Sequence, residues 1–395
     1  MDDTELTDDT GPADEIEFTD DDSTLSAYWH DRMLDHEPPA GAFKFPRTPI
    51  VAVDEPHPDR RERVENLKRM LERAFPERAR FETATRATRG EIERVHDPDY
   101  VGWLESFCAD GGGRIGDTTT GANEATFDAA RYAAGTAVRA ARDAVDGSDA
   151  IPYALCRPSG HHAQSDRADG FCFLNNVAVA AAAAVAGGVE RVAIVDWDVH
   201  HCNGTQEIFE AREDVLVVSA HHDHGSWHPE YHPQEGTLDE VGTGDGEGYN
   251  VNVPLPPGTG DRGYERLFER IVEPVVREYD PELILVSAGQ DAGAADPNGR
   301  NLVTRAGFRT LGHRIRRLAA DVADDRLALV QEGGYQQSHL SFATLGVFEG
   351  VLGHTVDLER YGTDDPFDWL DEPTDLVNSW IDDAVEYHSD YWPLD

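Results

Sequence analysis

The sequence predicts a single α/β domain: a central parallel sheet with helices on both faces and the active site at the carboxyl ends of the strands. Three observations predict it. Short, nearly continuous apolar runs alternate with helical patterns, as expected of a sheet covered on both sides. Five of these runs end abruptly in polar residues, and the ligand crevice of an open α/β sheet lies beyond its strands' carboxyl ends. No Ser/Gly- or Pro-rich linker divides the 395 residues.

Taken in order, residues 1–26 read as a disordered acidic tail, because the first basic residue is Arg32 and large apolar side chains are few. Residues 27–395 read as one domain. Strands are predicted at Ile50–Val53, Tyr153–Cys156, Arg191–Val195, Val215–Ser219, Tyr249–Leu255, Leu283–Ser287 and Leu327–Val330. Helices are predicted at Arg60–Arg73, Glu124–Val145, Asn176–Val185, Arg262–Glu278 and Thr304–Ala323. Glycine-rich stretches at Gly111–Gly113 and Gly242–Gly248 read as loops.

Charge narrows the function. With 34 Lys+Arg against 77 Asp+Glu the formal net charge is −43, and only Lys44 and Lys68 are lysines. Nucleic-acid binding and attachment to an anionic membrane both need clustered cations and are not expected. An acid-rich, lysine-poor chain suits concentrated salt, where a Debye length of about 3 Å at 1 M screens self-repulsion. The four cysteines, Cys108, Cys156, Cys172 and Cys202, are widely spaced, so no disulfide scaffold is expected and a reducing cytoplasm fits best. The N-terminus has neither a basic n-region nor an apolar h-region, and the apolar run Val177–Val189 is too short to span a bilayer of about 30 Å.

The chemistry gathers at the strand ends. In Asp196-x-Asp198-x-His200, extended backbone would turn two carboxylates and an imidazole to one face. Two close carboxylates repel unless a cation joins them. Alone, the motif reads as readily as a solvated strand end in an acidic protein. Asp291, at the end of another strand, completes an Asp/His/Asp set with an open position for water. Such ligation suits zinc and also admits Fe(II) or Mn(II). His161-His162, at the same sheet edge, supply imidazoles that exchange protons near neutral pH. Asp196 can orient one ring and Asn203 the other. Tyr335 follows two glycines and can donate to a developing oxyanion, or be an ordinary core tyrosine.

These motifs resemble the histone deacetylase family, nearest its class II and bacterial amidohydrolase branches, which share an arginase–deacetylase-type fold with acetylpolyamine amidohydrolases. The matching runs are RVHDPDYV (94–101), RPSGHHA (157–163), GFCFLNNVAVAA (170–181), DWDVHHCNGTQ (196–206), DEVGTGDGEGYNVNVPLP (239–256), PELILVSAGQDA (281–292) and QEGGY (331–335). The resemblance covers roughly residues 28–355. The resemblance implies zinc on Asp198, His200 and Asp291. It makes His162 the general base and later acid, His161 with Asp196 its electrostatic partner, and Tyr335 the oxyanion donor. Gly170 would accept the substrate amide N–H, and Phe171 would wall an acyl-lysine tunnel. It also implies potassium on Asp196, Asp198, His200, Ser219 and Ala220, and a second potassium on Phe209, Arg212 and Val215.

Three positions depart from the family. Cys202 stands where glycine is usual, Gln290 replaces an aromatic or apolar residue, and His228 takes the place of the second tunnel phenylalanine, with Trp227 or Tyr231 as substitutes. The expected reaction is hydrolysis of an acetyl-lysine amide to lysine and acetate. The substrate is then an acetylated protein or a small acetyl-amine. An acetylpolyamine amidohydrolase is the alternative, against which Arg300 in DPNGR would repel a polycation. An acyl-lysine binder without turnover and a manganese ureohydrolase are more distant readings.

Overall fold

The computed structural model describes residues 22–39, 49–50, 52–53, 56–115, 119–223, 235–365, 367 and 370–394. Eight parallel strands form the central sheet: β1 (Thr24–Trp29), β2 (Ala79–Thr83), β3 (Ala150–Ala154), β4 (Val192–Asp196), β5 (Val215–His222), β6 (Asn250–Leu255), β7 (Leu283–Ala288) and β8 (Leu327–Gln331). Their spatial order is β2-β1-β3-β8-β7-β4-β5-β6. The inner strands β4, β5, β7 and β8 are buried at every position, so apolar side chains fill both faces.

Helices Thr126–Val145 and Asn176–Ala186 pack together and against the sheet. Alanine suits them twice: it is the best helix former, and its small side chain allows close helix–sheet approach. On another side, Arg305–Val322 packs on Gln337–Leu352, which in turn meets Arg61–Ala74. The predicted helix over 262–278 is Asp261–Leu267 and Glu273–Tyr279 joined by one π turn, Phe268–Val272. Pro274 sits just after that turn, and the wider i→i+5 spacing relieves the clash its ring would make in a regular helix.

Two expectations are corrected. The strand expected at Ile50–Val53 is absent at its described positions: Ile50 lies in a turn, Ala52 and Val53 lie in a bend, and Ile50 and Val53 are 90% and 81% exposed, while Val51 lies outside the described residues. Among the described residues no strand pairs with this run, and an unpaired apolar run gains nothing from extending. Thr24–Ser26, assigned to the acidic tail, are instead the first half of β1, paired with β2 on one side and β3 on the other. Composition averaged over 26 residues hid a six-residue strand whose Leu25 is fully buried. Residues 1–21 lie outside the described residues.

Candidate metal centre and its proton-transfer groups

The site forms where β3, β4, β5, β7 and β8 run out. β4 ends at Asp196, whose neighbours across the sheet are Ser219 and Ser287. Beyond it the chain does not stay extended. Asp196 Oδ1 accepts the N–H of Asp198 at 3.0 Å, and Asp198 Oδ1 accepts that of His200 at 2.9 Å. These successive side-chain-capped turns, rather than strand alternation, bring the DxDxH side chains inward. Asp291, three residues past β7, accepts Val199 N–H on Oδ1 at 2.9 Å.

Asp198, His200 and Asp291 are buried, with one ligand atom from each lying within 4.8 Å of the others. His200 Nδ1 is 3.1 Å from Asp198 Oδ1 and 3.1 Å from Asp291 Oδ2. Burial and the charge of Asp198 push Asp291 up to about 7, although His200 pulls the other way. Burial opposes charge on His200, yet Asp291 and Asp198 raise it to about 10. Two buried carboxylates competing for one imidazolium is an arrangement that a dication relieves. The donor set therefore fits the implied zinc. Gly333 closes the floor: its N–H donates to Asp198 Oδ2 at 2.8 Å, and a Cβ there would lie 2.2 Å from Asp291 Oδ2.

The tandem histidines sit beside this cluster, their ring centroids 4.1 Å apart. His161 Nδ1 meets Asp196 Oδ2 at 3.0 Å. Burial disfavours a charge on this ring, but Asp198 and Asp196 outweigh it and hold His161 well above the ordinary imidazole range. His162 Nδ1 meets Asn203 Oδ1 at 2.6 Å. Gly170 (φ 48°) lies against this ring, where a Cβ would come within 2.2 Å of His162 Cδ2, so only glycine fits. Phe171 is held at φ 70°, with its N–H bonded to Thr120 Oγ1 at 3.1 Å. Its ring meets Tyr335 edge-on at 5.6 Å and His57 at 4.7 Å.

Ser219 and Ala220 lie on β5 beside Asp196, while Phe209, Arg212 and Val215 form the turn entering β5, with Arg212 N–H bonded to Phe209 O at 2.9 Å. Arg212 itself pairs with Asp214. His228, Trp227 and Tyr231 lie outside the described residues. Cys202 is buried, and burial holds its thiol well above the ordinary range, so it is no reactive thiolate. Gln290 accepts from Gln331 and Thr344 and donates to Ala288 O, a polar network in place of an apolar contact.

Several site residues escaped the sequence reading. Arg63 donates to Gly334 O and Glu332 O and lies over the Tyr335 ring, its Cζ 4.6 Å from the centroid. Asp59 pairs with both Arg63 and Arg157, and all three are buried. Burial would raise Asp59, but Arg157, His36 and Arg63 bring its carboxyl well below the usual range. Glu332 Oε2 accepts the N–H groups of Gly160 and His161, fixing the tandem-His turn from below. Asp296 Oδ2 accepts the N–H groups of Tyr335 and Gln336. The signal for Arg63 was a charged residue on the apolar stripe of an amphipathic helix, beside Val64 and Leu67. Asp59 lies one helical turn before Arg63, whereas Arg157, Glu332 and Asp296 bond to partners distant in sequence and nothing local marks them.

The chain is similar to known proteins along most of its length. Residues 57–351 match the family described as Histone deacetylase domain. Histone deacetylase 8 of Arabidopsis thaliana is 37% identical over 94% of this chain and 98% of its own length. A probable deacetylase of Archaeoglobus fulgidus is 37% identical over 85% and 94%, and a histone deacetylase-like amidohydrolase of Pseudomonas aeruginosa 38% over 80% and 80%. The crystal structure of the HDA15 HD domain superposes with a TM-score of 0.78 at 33% identity, covering 94% of this chain and 96% of that one. Strand order, strand-end chemistry and similarity along most of its length lead to one conclusion: this chain belongs to the histone deacetylase family.

Proposed function

We propose that this protein is a zinc-dependent deacetylase that hydrolyses an acetyl-lysine amide to lysine and acetate. The observation that carries the reading is the buried Asp198–His200–Asp291 cluster set beside two histidines with different partners, a carboxylate for His161 and an amide for His162. Zinc held by those three residues would polarise the acetyl carbonyl and make a bound water acidic.

The chain's own groups do the rest. Asn203 Oδ1 can only accept, so His162 carries its proton on Nδ1 and offers the Nε2 lone pair to the attacking water. His162 takes that water's proton at Nε2 and returns it to the departing amine nitrogen. His161, kept positive by Asp196 and Asp198, supplies a fixed charge. The Tyr335 hydroxyl donates to the developing oxyanion. Burial holds that phenol protonated, well above its ordinary range, against the lowering by Arg63. Gly170 O accepts the substrate N–H, and Phe171 packs along the acyl-lysine stem. By the same resemblance we assign potassium to Asp196, Asp198, His200, Ser219 and Ala220, and to Phe209, Arg212 and Val215.

The test is acetate release from acetyl-lysine peptides, acetylputrescine and acetylspermidine at molar KCl. Preference for the peptides supports the reading, preference for an acetylpolyamine replaces its substrate, and zinc-loaded protein inert on all of them would sink it.

A further inference from the structure

We propose that Asp169 is a positioning residue that sets which nitrogen of His162 is free to take a proton, acting through the side chain of Asn203. The inference rests on the deacetylase reading of the site. Asp169 is 1% exposed and stands immediately before Gly170. Its Oδ1 accepts the Gly170 N–H at 2.8 Å, and its Oδ2 accepts the Asn203 Nδ2–H at 3.2 Å. Its backbone is pinned by a reciprocal pair of hydrogen bonds with Cys172. Its position is therefore fixed before it meets Asn203.

The argument turns on the two ends of one amide. Asn203 lies between His162 Nδ1, 2.6 Å from its oxygen, and the Asp169 carboxylate, 3.2 Å from its nitrogen. A carboxylate only accepts, so it selects the orientation in which Nδ2 faces Asp169. The opposite orientation would set two acceptor oxygens against each other in a buried place, at the cost of an unmade hydrogen bond. With Nδ2 committed, Oδ1 must face His162. His162 Nδ1 must then be the donor, leaving the lone pair on Nε2. Without Asp169 the carboxylate that draws Nδ2 away from His162 is gone. Flipped, the amide would donate to Nδ1 and put the histidine proton on Nε2, where a base cannot use it. The same carboxylate holds the N–H of Gly170, whose Cα packs against the His162 ring, so ring and amide are set from one point. By contrast, His161 has a carboxylate of its own in direct contact.

Exchanging the two functional groups tests this. Asp169→Asn sets an amide against an amide. We expect kcat to fall at least tenfold, with KM within threefold of wild type and zinc content and Tm unchanged, as expected when the wrong tautomer is selected. The double variant Asp169→Asn/Asn203→Asp restores one acceptor towards His162 and one donor behind it, and should bring kcat back to within threefold. A merely structural role would not give this recovery. A second readout needs no turnover. In zinc-loaded protein labelled with 15N-histidine, the His162 signal, assigned by its loss in His162→Gln, should show Nδ1 protonated and Nε2 bare, and Asp169→Asn should move the proton to Nε2. An Asp169→Asn enzyme within twofold of wild-type kcat would overturn the proposal. So would a double variant no better than the single, or a wild-type His162 protonated on Nε2. If Asp169→Asn does not fold, the wild-type tautomer and the double variant decide. A wild-type enzyme inert on every acetyl amide overturns the deacetylase reading instead, and the tautomer still reports on Asp169.

Discussion

Gly333→Ala probes the floor of the metal centre with a single methyl group. Gly333 follows β8 and Glu332, and its N–H holds Asp198 Oδ2 at 2.8 Å. A Cβ at this position would lie 2.2 Å from Asp291 Oδ2 and 2.6 Å from Asp198 Oδ2, whereas ordinary contact begins near 3.4 Å. The nearer carboxylate must retreat by about 1.2 Å, or the strand end must shift as far. Zinc ligation tolerates about 0.2 Å. The substitution is therefore expected to remove zinc rather than merely weaken it, and to lower kcat/KM by about 100-fold or more, the scale on which misplacement of about 1 Å acts. The assay is metal content after gel filtration, paired with turnover of an acetyl-lysine peptide. Gly90→Ala is the control, since a Cβ there meets nothing within 4 Å. A Gly333→Ala protein with one zinc per chain and wild-type turnover would refute the argument that this glycine exists to admit two ligand carboxylates.

Other expectations follow from the same geometry. Tyr335→Phe should lower kcat about 100- to 1,000-fold while zinc content and KM hold, the usual loss for one oxyanion donor; unchanged kcat would remove Tyr335 from the chemistry. His36, His96 and His221 are buried, and burial pushes each down to about 4. Between about pH 6.5 and 4 the unfolded chain binds more protons at these three, so their contribution is complete above about 6.5 and lost as pH falls towards 4, by up to ~3 kcal/mol each. Urea denaturation at pH 7, 5.5 and 4.5 should show that decline; a flat profile would contradict it. The −43 net charge predicts that Tm and activity rise between 0.1 and 2 M KCl. A Tm independent of KCl would show that surface repulsion is negligible.

The legible part of the molecule was the part written locally. β4, β7 and β8 announce themselves as apolar runs, and their polar ends foretold Asp196, Asp198, His200, Asp291 and Tyr335 at one edge. The tandem histidines and their two partners were likewise placed by motif, and the structure brings them together. What escaped was non-local or compositional. β1 hides beside an acidic segment, and only pairing with β2 and β3 makes it a strand. The convergence of the DxDxH side chains comes from two side-chain-capped turns, which alternation along a strand does not describe. Arg63, Asp59 and Arg157 form their buried cluster across almost 100 residues of chain, so no sequence window holds all three. Asp169 is inconspicuous among 77 acids until its distance to Asn203 is known.

The central claim is that one metal ion on Asp198, His200 and Asp291 makes this chain a deacetylase. Titrating metal-free protein with zinc while following acetate release from an acetyl-lysine peptide tests it directly. Activity should rise in proportion to added zinc and level off at one equivalent per chain, with Asp291→Ala neither binding zinc nor gaining activity. Full activity in the metal-free protein, or an Asp291→Ala protein that titrates like wild type, would contradict it.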